Sequence, residues 1–192
     1  MFTGLVQNLG EVIQIKRSHK TMSLCISSAL PARCFKKGAS ILVDGVCLTV
    51  ESYSSPYFWV TAVEETLKKT LFSGLKVGDE LHLEQALTLS TPLGGHLVSG
   101  HVDGLALVIE SAPLLRLKLP PSLLKFCPIK GSIAIFGVSL TIADVSENGL
   151  ELALIPETLK NTKLGRLKKG DEVHVEVDMI ARYLEHLYAA SR

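Results

Sequence analysis

The side chains best suited to chemistry in this 192-residue chain are a thiol and a hydroxyl in matching surroundings. Cys47 lies in Gly45-Val46-Cys47-Leu48-Thr49, and Ser139 in Gly137-Val138-Ser139-Leu140-Thr141. Either group can act as a nucleophile or pass a proton once a base or a bound ligand stands beside it. If Val46 and Leu48 point into a core, Cys47 and Thr49 share the opposite face of the strand. A lone cysteine is more often a small buried hydrophobe, so the matching polar residue in the second block is what gives Cys47 weight. His101 sits in Gly94-Gly95-His96-Leu97-Val98-Ser99-Gly100-His101-Val102-Asp103-Gly104. Glycines there would let backbone approach a ligand closely, and an imidazole could shuttle protons near neutral pH. The same glycines would equally serve a junction between domains, and spacing identifies no carboxylate partner for His101.

Two Glu-Thr-Leu-Lys blocks, at 65–68 and 157–160, offer a second kind of site. They could cap short helices whose free N–H groups bind a polar ligand, or serve as structural caps alone. Asp178 reads as the N-cap of a tail helix. His82 and His174, flanked by charged residues, read as part of a solvated face.

These residues are arranged by an internal repeat, the feature to seek first in any chain. EETLKKTLFSGLKVGDELHLE (64–84) recurs as PETLKNTKLGRLKKGDEVHVE (156–176), an offset of 92 with 12 of 21 positions identical. The same offset places SILVDGVCLT (40–49) on SIAIFGVSLT (132–141), and Gly4-Leu5-Val6 on His96-Leu97-Val98. The segments that follow Val6 need a two-residue gap. Three blocks in one order identify a duplication.

Each copy reads as short strands. Thr21–Ser27 and Glu80–Glu84 alternate, and Ser40–Val43 with Val46–Val50 flanks a tight turn at Asp44-Gly45. The counterpart is Ser132–Ile135, Phe136-Gly137 and Val138–Ile142. Tyr57–Val63 and Leu150–Ile155 are further strands, with helical turns at Ala29–Phe35, Ser122–Phe126, and after Glu65 and Glu157. About six short strands with Gly-rich turns predict a small closed barrel, which removes exposed sheet edges. The linker falls near Gln85–Pro92. From Met179 to Tyr188, apolar residues at 179, 180, 183, 184, 187 and 188 form a helical stripe with no counterpart in the first copy. That stripe either packs on its own barrel or, as the better reading, makes an oligomer contact.

Composition excludes several classes. Lys+Arg total 20 against Asp+Glu 19, so the basic excess of a nucleic-acid binder is missing. Cys25, Cys34, Cys47 and Cys127 contain no C-x-x-C pair, which leaves a cysteine-built zinc site unsupported. The N-terminus does not read as a signal peptide, and no apolar run is of membrane-spanning length. A reducing cytoplasm is the expected setting.

The opening Met1-Phe2-Thr3-Gly4, the Gly45–Thr49 block, the Gly94–His101 block and Ile155-Pro156-Glu157-Thr158-Leu159 together resemble the riboflavin synthases. The resemblance runs from Met1 to the tail helix. It implies an all-β chain of two tandem six-stranded Greek-key β-barrels plus a C-terminal α-helix, divided at 1–90, 91–178 and 179–192. It also implies a homotrimer assembled through that helix, with no metal and no added cofactor. The implied reaction moves a four-carbon unit between two molecules of 6,7-dimethyl-8-ribityllumazine. Its products are riboflavin and 5-amino-6-ribitylamino-2,4(1H,3H)-pyrimidinedione.

Carried over by position, the first pocket would use Gly4, Leu5, Val6, Cys47, Leu48, Thr49, Thr61, Ala62, Val63, Glu64, Glu65 and Thr66. The second would use Gly100, His101, Val102, Lys130, Ser139, Leu140, Thr141, Ala153, Leu154, Ile155, Pro156, Glu157 and Thr158. Backbone groups would recognise the pyrimidine edge and polar side chains the ribityl hydroxyls. Cys47 or a water beside it would supply the nucleophile, and His101 or Ser139 would assist proton transfer, with Ser40, Phe2 and Asp178 as further candidates. Phe136 departs from the family, which usually carries a small polar residue there, and is expected to abut the second pocket. Lumazine proteins, non-catalytic optical antennae of the same fold, are the rival reading.

Overall fold

Alternation of core and solvent residues closes each copy into a barrel. The computed structural model describes residues 1–147 and 149–190. The first barrel contains β1 (Asn8–Arg17), β2 (Thr21–Ser27), β3 (Ser40–Val43), β4 (Val46–Ser54), β5 (Tyr57–Val63) and β6 (Glu80–Gln85). Its strands close in the order β1-β2-β5-β4-β3-β6. The second contains β7 (Gly104–Glu110), β8 (Leu114–Lys118), β9 (Ser132–Ile135), β10 (Val138–Ser146), β11 (Gly149–Ala153) and β12 (Glu172–Val177), and it closes in the equivalent order. Short helices α1 (Glu64–Lys69), α2 (Pro121–Leu124) and α3 (Pro156–Asn161) lie in the connections, and α4 (Met179–Ala190) follows the second barrel. Among the described residues no helix is long and apolar enough to cross a membrane.

Each barrel fills its own interior. Leu24, Ile26, Ile41, Phe58, Leu81 and Leu83 are sealed in the first; Leu115, Leu117, Ile133, Ile142, Leu152 and Val175 are sealed in the second. Burying each such side chain contributes about 1.5–3 kcal/mol against leaving it in water. Bulges match as well, with register breaks at Val50/Ser52 in β4 and at Ile142/Asp144 in β10.

The barrels meet across an approximate two-fold axis. Phe2 and Val98 pair backbone to backbone in both directions (2.8 and 3.1 Å) and pack with Leu42 and Ala134. This pairing corrects the alignment of the first block. Thr3-Gly4-Leu5 corresponds to Ser99-Gly100-His101, an offset of 96, because the first copy has four more residues between the starts of β1 and β3. A short glycine-leucine-valine match could not resolve that difference.

The histidines also differ from expectation. His82 and His174 are almost completely buried at the barrel contact. His82 Nε2 accepts from Lys163 N (2.7 Å), so its Nδ1 carries the proton and donates to Phe136 O (3.0 Å). His174 repeats this, with Nε2 accepting from Leu71 N (2.8 Å) and Nδ1 donating to Asp44 O (2.8 Å). Each ring thus hydrogen-bonds to backbone of the other barrel. Their charged sequence neighbours concealed this, because alternation along a strand decides facing but not what covers the face.

Phe136 sits here too, with left-handed backbone (φ 48) and only 7% exposed. Its ring lies 4.8 Å from that of His174 and beneath Lys163 Nζ at 4.7 Å, while Lys163 also pairs with the buried Asp44. Phe136 is therefore part of the contact between barrels, not a wall of the second pocket.

Candidate functional site

The surroundings of Cys47 and of Ser139 are each assembled from three pieces that correspond between the barrels. The first piece is the strand after the tight turn. Val46 and Leu48 face the core, Cys47 is half-buried outside it, and Thr49 is exposed; Val138, Leu140, Ser139 and Thr141 repeat the pattern. The second piece is a strand end running into a short helix, Thr61–Thr66 or Ala153–Thr158. Thr70 Oγ1 donates to Thr66 O, and Thr162 Oγ1 donates to Thr158 O, both at 2.7 Å, so the two turns are locked alike. The helix N-caps are Val63 and Ile155, neither giving a side-chain cap. The Glu-Thr-Leu-Lys blocks accordingly lie inside the helices and cap nothing. Glu64 and Glu65 pair instead with Lys68 and Lys69 one turn on.

The third piece arrives from the other barrel. Gly100 O accepts from Cys47 N at 2.8 Å, and Gly4 O accepts from Ser139 N at 2.8 Å. Both glycines have left-handed backbone (φ 82 and 76), and a β-carbon on either would stand 2.5 Å from that of Cys47 or Ser139. Only glycine fits. The expected allocation is thereby reversed: Gly100, His101 and Val102 close the first barrel's pocket, and Gly4 lies against the second barrel. The antiparallel Phe2–Val98 pairing carries each segment across the axis, which linear order does not disclose.

The first pocket holds about 250 Å³ between Cys47, Glu65, Thr66, Lys69, Gly100, His101 and Val102. Thr61 Oγ1, on the adjoining strand, is held by Ser23 Oγ at 2.8 Å. Cys47 is the one described cysteine not buried. Burial pushes the thiols of Cys25, Cys34 and Cys127 up, the last to about 11, so the thiol at the pocket is the accessible one.

The second site is not a copy. A space of about 420 Å³ lies between Val6–Leu9 and Lys160–Asn161, where Val6 and Asn161 are the counterparts of Val102 and Lys69. Ser139 does not line that space; the linker covers it instead, with His96 Nδ1 2.7 Å from Ser139 Oγ and His96 N donating to Thr3 O. His96 is buried, its Nε2 has no protein partner, and burial pushes its pKa down against a nearby Asp178 that raises it.

The remaining candidates divide by facing. Ala62, Leu48, Leu140 and Leu154 are core residues, so only their backbones are available; Val63, Ala153, Ile155, Pro156 and Glu157 are exposed. Phe2 is fully enclosed between the barrels, so its ring reaches no pocket; it positions Thr3 and Gly4. Ser40 pairs with Thr49 across β3–β4. Lys130 is exposed, with left-handed backbone tied to Ile142 O, one residue beyond Thr141. Asp178 accepts from Ile180 N at 2.9 Å and begins α4 as an N-cap. Leu5 is exposed beside Gly94.

Sequence reasoning missed His96, Lys69, Glu84 and Glu176. Glu84 and Glu176 are 2% and 3% exposed. Glu84 accepts from Thr3 N, Thr3 Oγ1 and Gly4 N at 2.6–3.1 Å. Glu176 accepts from Ser99 N, Ser99 Oγ, Gly100 N and His101 N at 2.6–3.1 Å. Burial pushes both carboxyls up and these donors pull them back. Their identity at the last position of the repeated block was the available signal.

With this geometry in view, comparison with known proteins is informative. The sequence model of the lumazine binding domain matches residues 3–86 and again 99–178. Riboflavin synthase from Actinobacillus pleuropneumoniae is 37% identical over 190 residues, covering 96% of this chain and 88% of that protein. Riboflavin synthase from Brucella abortus is 38% identical over 197 residues, covering 97% and 98%. Among solved structures, LumP complexed with riboflavin superposes with a TM-score of 0.79 at 30% identity, covering 92% of this chain and 99% of LumP. LumP complexed with 6,7-dimethyl-8-(1'-D-ribityl) lumazine gives 0.78 at 29%, with the same coverage.

Proposed function

Since this chain belongs to the lumazine-binding domain family and is a transferase of the riboflavin synthase type, we propose that it dismutates two molecules of 6,7-dimethyl-8-ribityllumazine. A four-carbon unit passes from one to the other, giving riboflavin and 5-amino-6-ribitylamino-2,4(1H,3H)-pyrimidinedione. The observation that carries this reading is the duplicated set of pieces around Cys47 and Ser139. A reaction between two identical molecules needs two similar sites, and each barrel supplies one, built from equivalent pieces.

Much of the rate then comes from holding two rings in reacting geometry, which can be worth roughly 7–11 kcal/mol of barrier. Backbone groups beside Cys47 and Ser139 would recognise the pyrimidine edges, and Thr49, Thr66, Thr141 and Thr158 would meet ribityl hydroxyls. Proton transfer from the acidic 7-methyl group of one lumazine falls to His101 or Ser139. Attack on C7 of the other falls to Cys47 or a water beside it. The partner for each pocket comes from a neighbouring chain in a homotrimer. The exposed Ile180, Tyr183, Leu184 and Leu187 of α4 support such association.

A second reading is supported by the LumP structures, which are complexes with 6,7-dimethyl-8-(1'-D-ribityl) lumazine, riboflavin and flavin mononucleotide. A non-catalytic binder would be expected to lose its reactive polar residues; Cys47, His101 and Ser139 are all present here. The test is to incubate the purified protein with 6,7-dimethyl-8-ribityllumazine alone and follow riboflavin absorbance. One riboflavin per two lumazines consumed is expected. Binding without turnover would replace the enzyme by the antenna.

A further inference from the structure

We propose that Glu84 and Glu176 are crossed positioning residues: each carboxylate, built into the wall of one barrel, holds the segment that closes the site on the other barrel. Glu84 belongs to β6 of the first barrel and grips Thr3 and Gly4, and Gly4 O receives Ser139 N of the second. Glu176 belongs to β12 of the second barrel and grips Ser99, Gly100 and His101, while Gly100 O receives Cys47 N of the first.

Three facts make this more than incidental bonding. A carboxylate in a barrel wall is costly to desolvate, and an apolar residue would fill the wall without that cost. Among the described residues, the donors to these two carboxylates come from the crossing segments and not from a strand of either barrel. The held residues are then pressed against Cys47 and Ser139 so closely that glycine alone fits. The acceptor pair therefore sets the distance between the crossing segment and the pocket floor, and it sets where His101 begins.

Chemistry dictates the variant. Glutamine has the shape of glutamate but replaces one acceptor oxygen by an NH2 donor. In Glu176→Gln, if the side-chain oxygen keeps Ser99, the NH2 group must face the N–H groups of Gly100 and His101, donor against donor. The segment above Cys47 must move, while the second barrel's own site is untouched.

The test uses the full chain and the rate of Cys47 alkylation by iodoacetamide, followed by mass spectrometry. In the free protein, Glu176→Gln should raise that rate at least threefold, and Glu84→Gln should leave it within twofold of the unsubstituted chain. With riboflavin as probe, protection of Cys47 should be lost in Glu176→Gln and kept in Glu84→Gln. Glu176→Asp, which retains both acceptor oxygens, should recover part of the protection. A purely structural role would make both glutamine variants behave alike at equal thermal stability, and that result overturns the proposal, as does a change confined to Glu84→Gln. If Glu176→Gln does not fold, Ser99→Ala, which deletes one bond of 2.7 Å, must show the same direction at Cys47 or the proposal fails. Only the riboflavin arm rests on the ligand reading above. Absence of protection in the unsubstituted chain would sink that reading and leave the crossed effect in the free protein to be judged alone.

Discussion

Cys47 and Ser139 occupy equivalent positions with different neighbours, and the difference sets what each can do. Cys47 is met by the backbone of Gly100 and by the His101 segment, whereas Ser139 Oγ is already engaged by His96. His101→Gln should lower kcat by roughly 10²-fold or more, the usual worth of a positioned acid or base, with KM nearly unchanged in steady-state assays. Cys47→Ser should turn over more slowly while still binding riboflavin. Unchanged turnover in both variants would remove the two residues from the chemistry. The residue-level reading of facing was legible, because alternation about Val46 and Leu48 needs no tertiary information. The contact of His96 with Ser139 was not, since it spans 43 residues and depends on the linker's path.

At the scale of elements, strands β6 and β12 carry the histidines that join the barrels. Burial pushes His82 and His174 below the usual histidine range, and each Nε2 accepts a backbone N–H that a protonated ring could not accept. The charged groups facing His82 are Asp44, which favours its protonation, and Lys163 and Arg166, which oppose it; Asp44 and Lys163 act likewise on His174. Because the folded values lie below the unfolded value of about 6.5, the stabilising contribution is complete above that pH. It falls as pH drops through and below it, by up to about 1.4 kcal/mol per pH unit for each ring. Urea denaturation between pH 7.5 and 5.5 should show this loss. A His82→Gln/His174→Gln chain should be less stable at pH 7.5 and show a flatter pH dependence, with His96 supplying part of the residual slope. An equal slope in the double variant would place the acid sensitivity elsewhere.

For the whole molecule, the tail helix is the element a single chain does not satisfy. Asp103 holds it through Arg182 (2.7 and 2.9 Å), yet Ile180, Tyr183, Leu184 and Leu187 stay at least 60% exposed. A contiguous apolar stripe of this kind marks an association surface. Sedimentation of the intact protein should give three times the 20.8 kDa chain mass. Leu184→Glu should sediment as the single chain and lose riboflavin formation while still binding riboflavin, since each pocket would lack its facing partner. Full activity of a monomeric variant would show that the two pockets of one chain suffice.

The amino-acid sequence by itself determined the duplication, the strands flanking the tight turns at Asp44-Gly45 and Phe136-Gly137, and the two chemical blocks, though not β1, β7 or β8. Each of these is written in local periodicity or in self-similarity, which linear order preserves. Tertiary structure alone decided which segment closes which pocket, that Phe136, His82 and His174 weld the barrels together, and that Glu84 and Glu176 are sealed in protein. Those outcomes follow from chain crossing at the two-fold axis. Two identical local patterns can be joined directly or crosswise, and the Phe2–Val98 pairing with the Gly100–Cys47 and Gly4–Ser139 bonds distinguishes the arrangements. Burial of a polar strand residue is likewise a property of what packs against it, and here that surface belongs to the other copy.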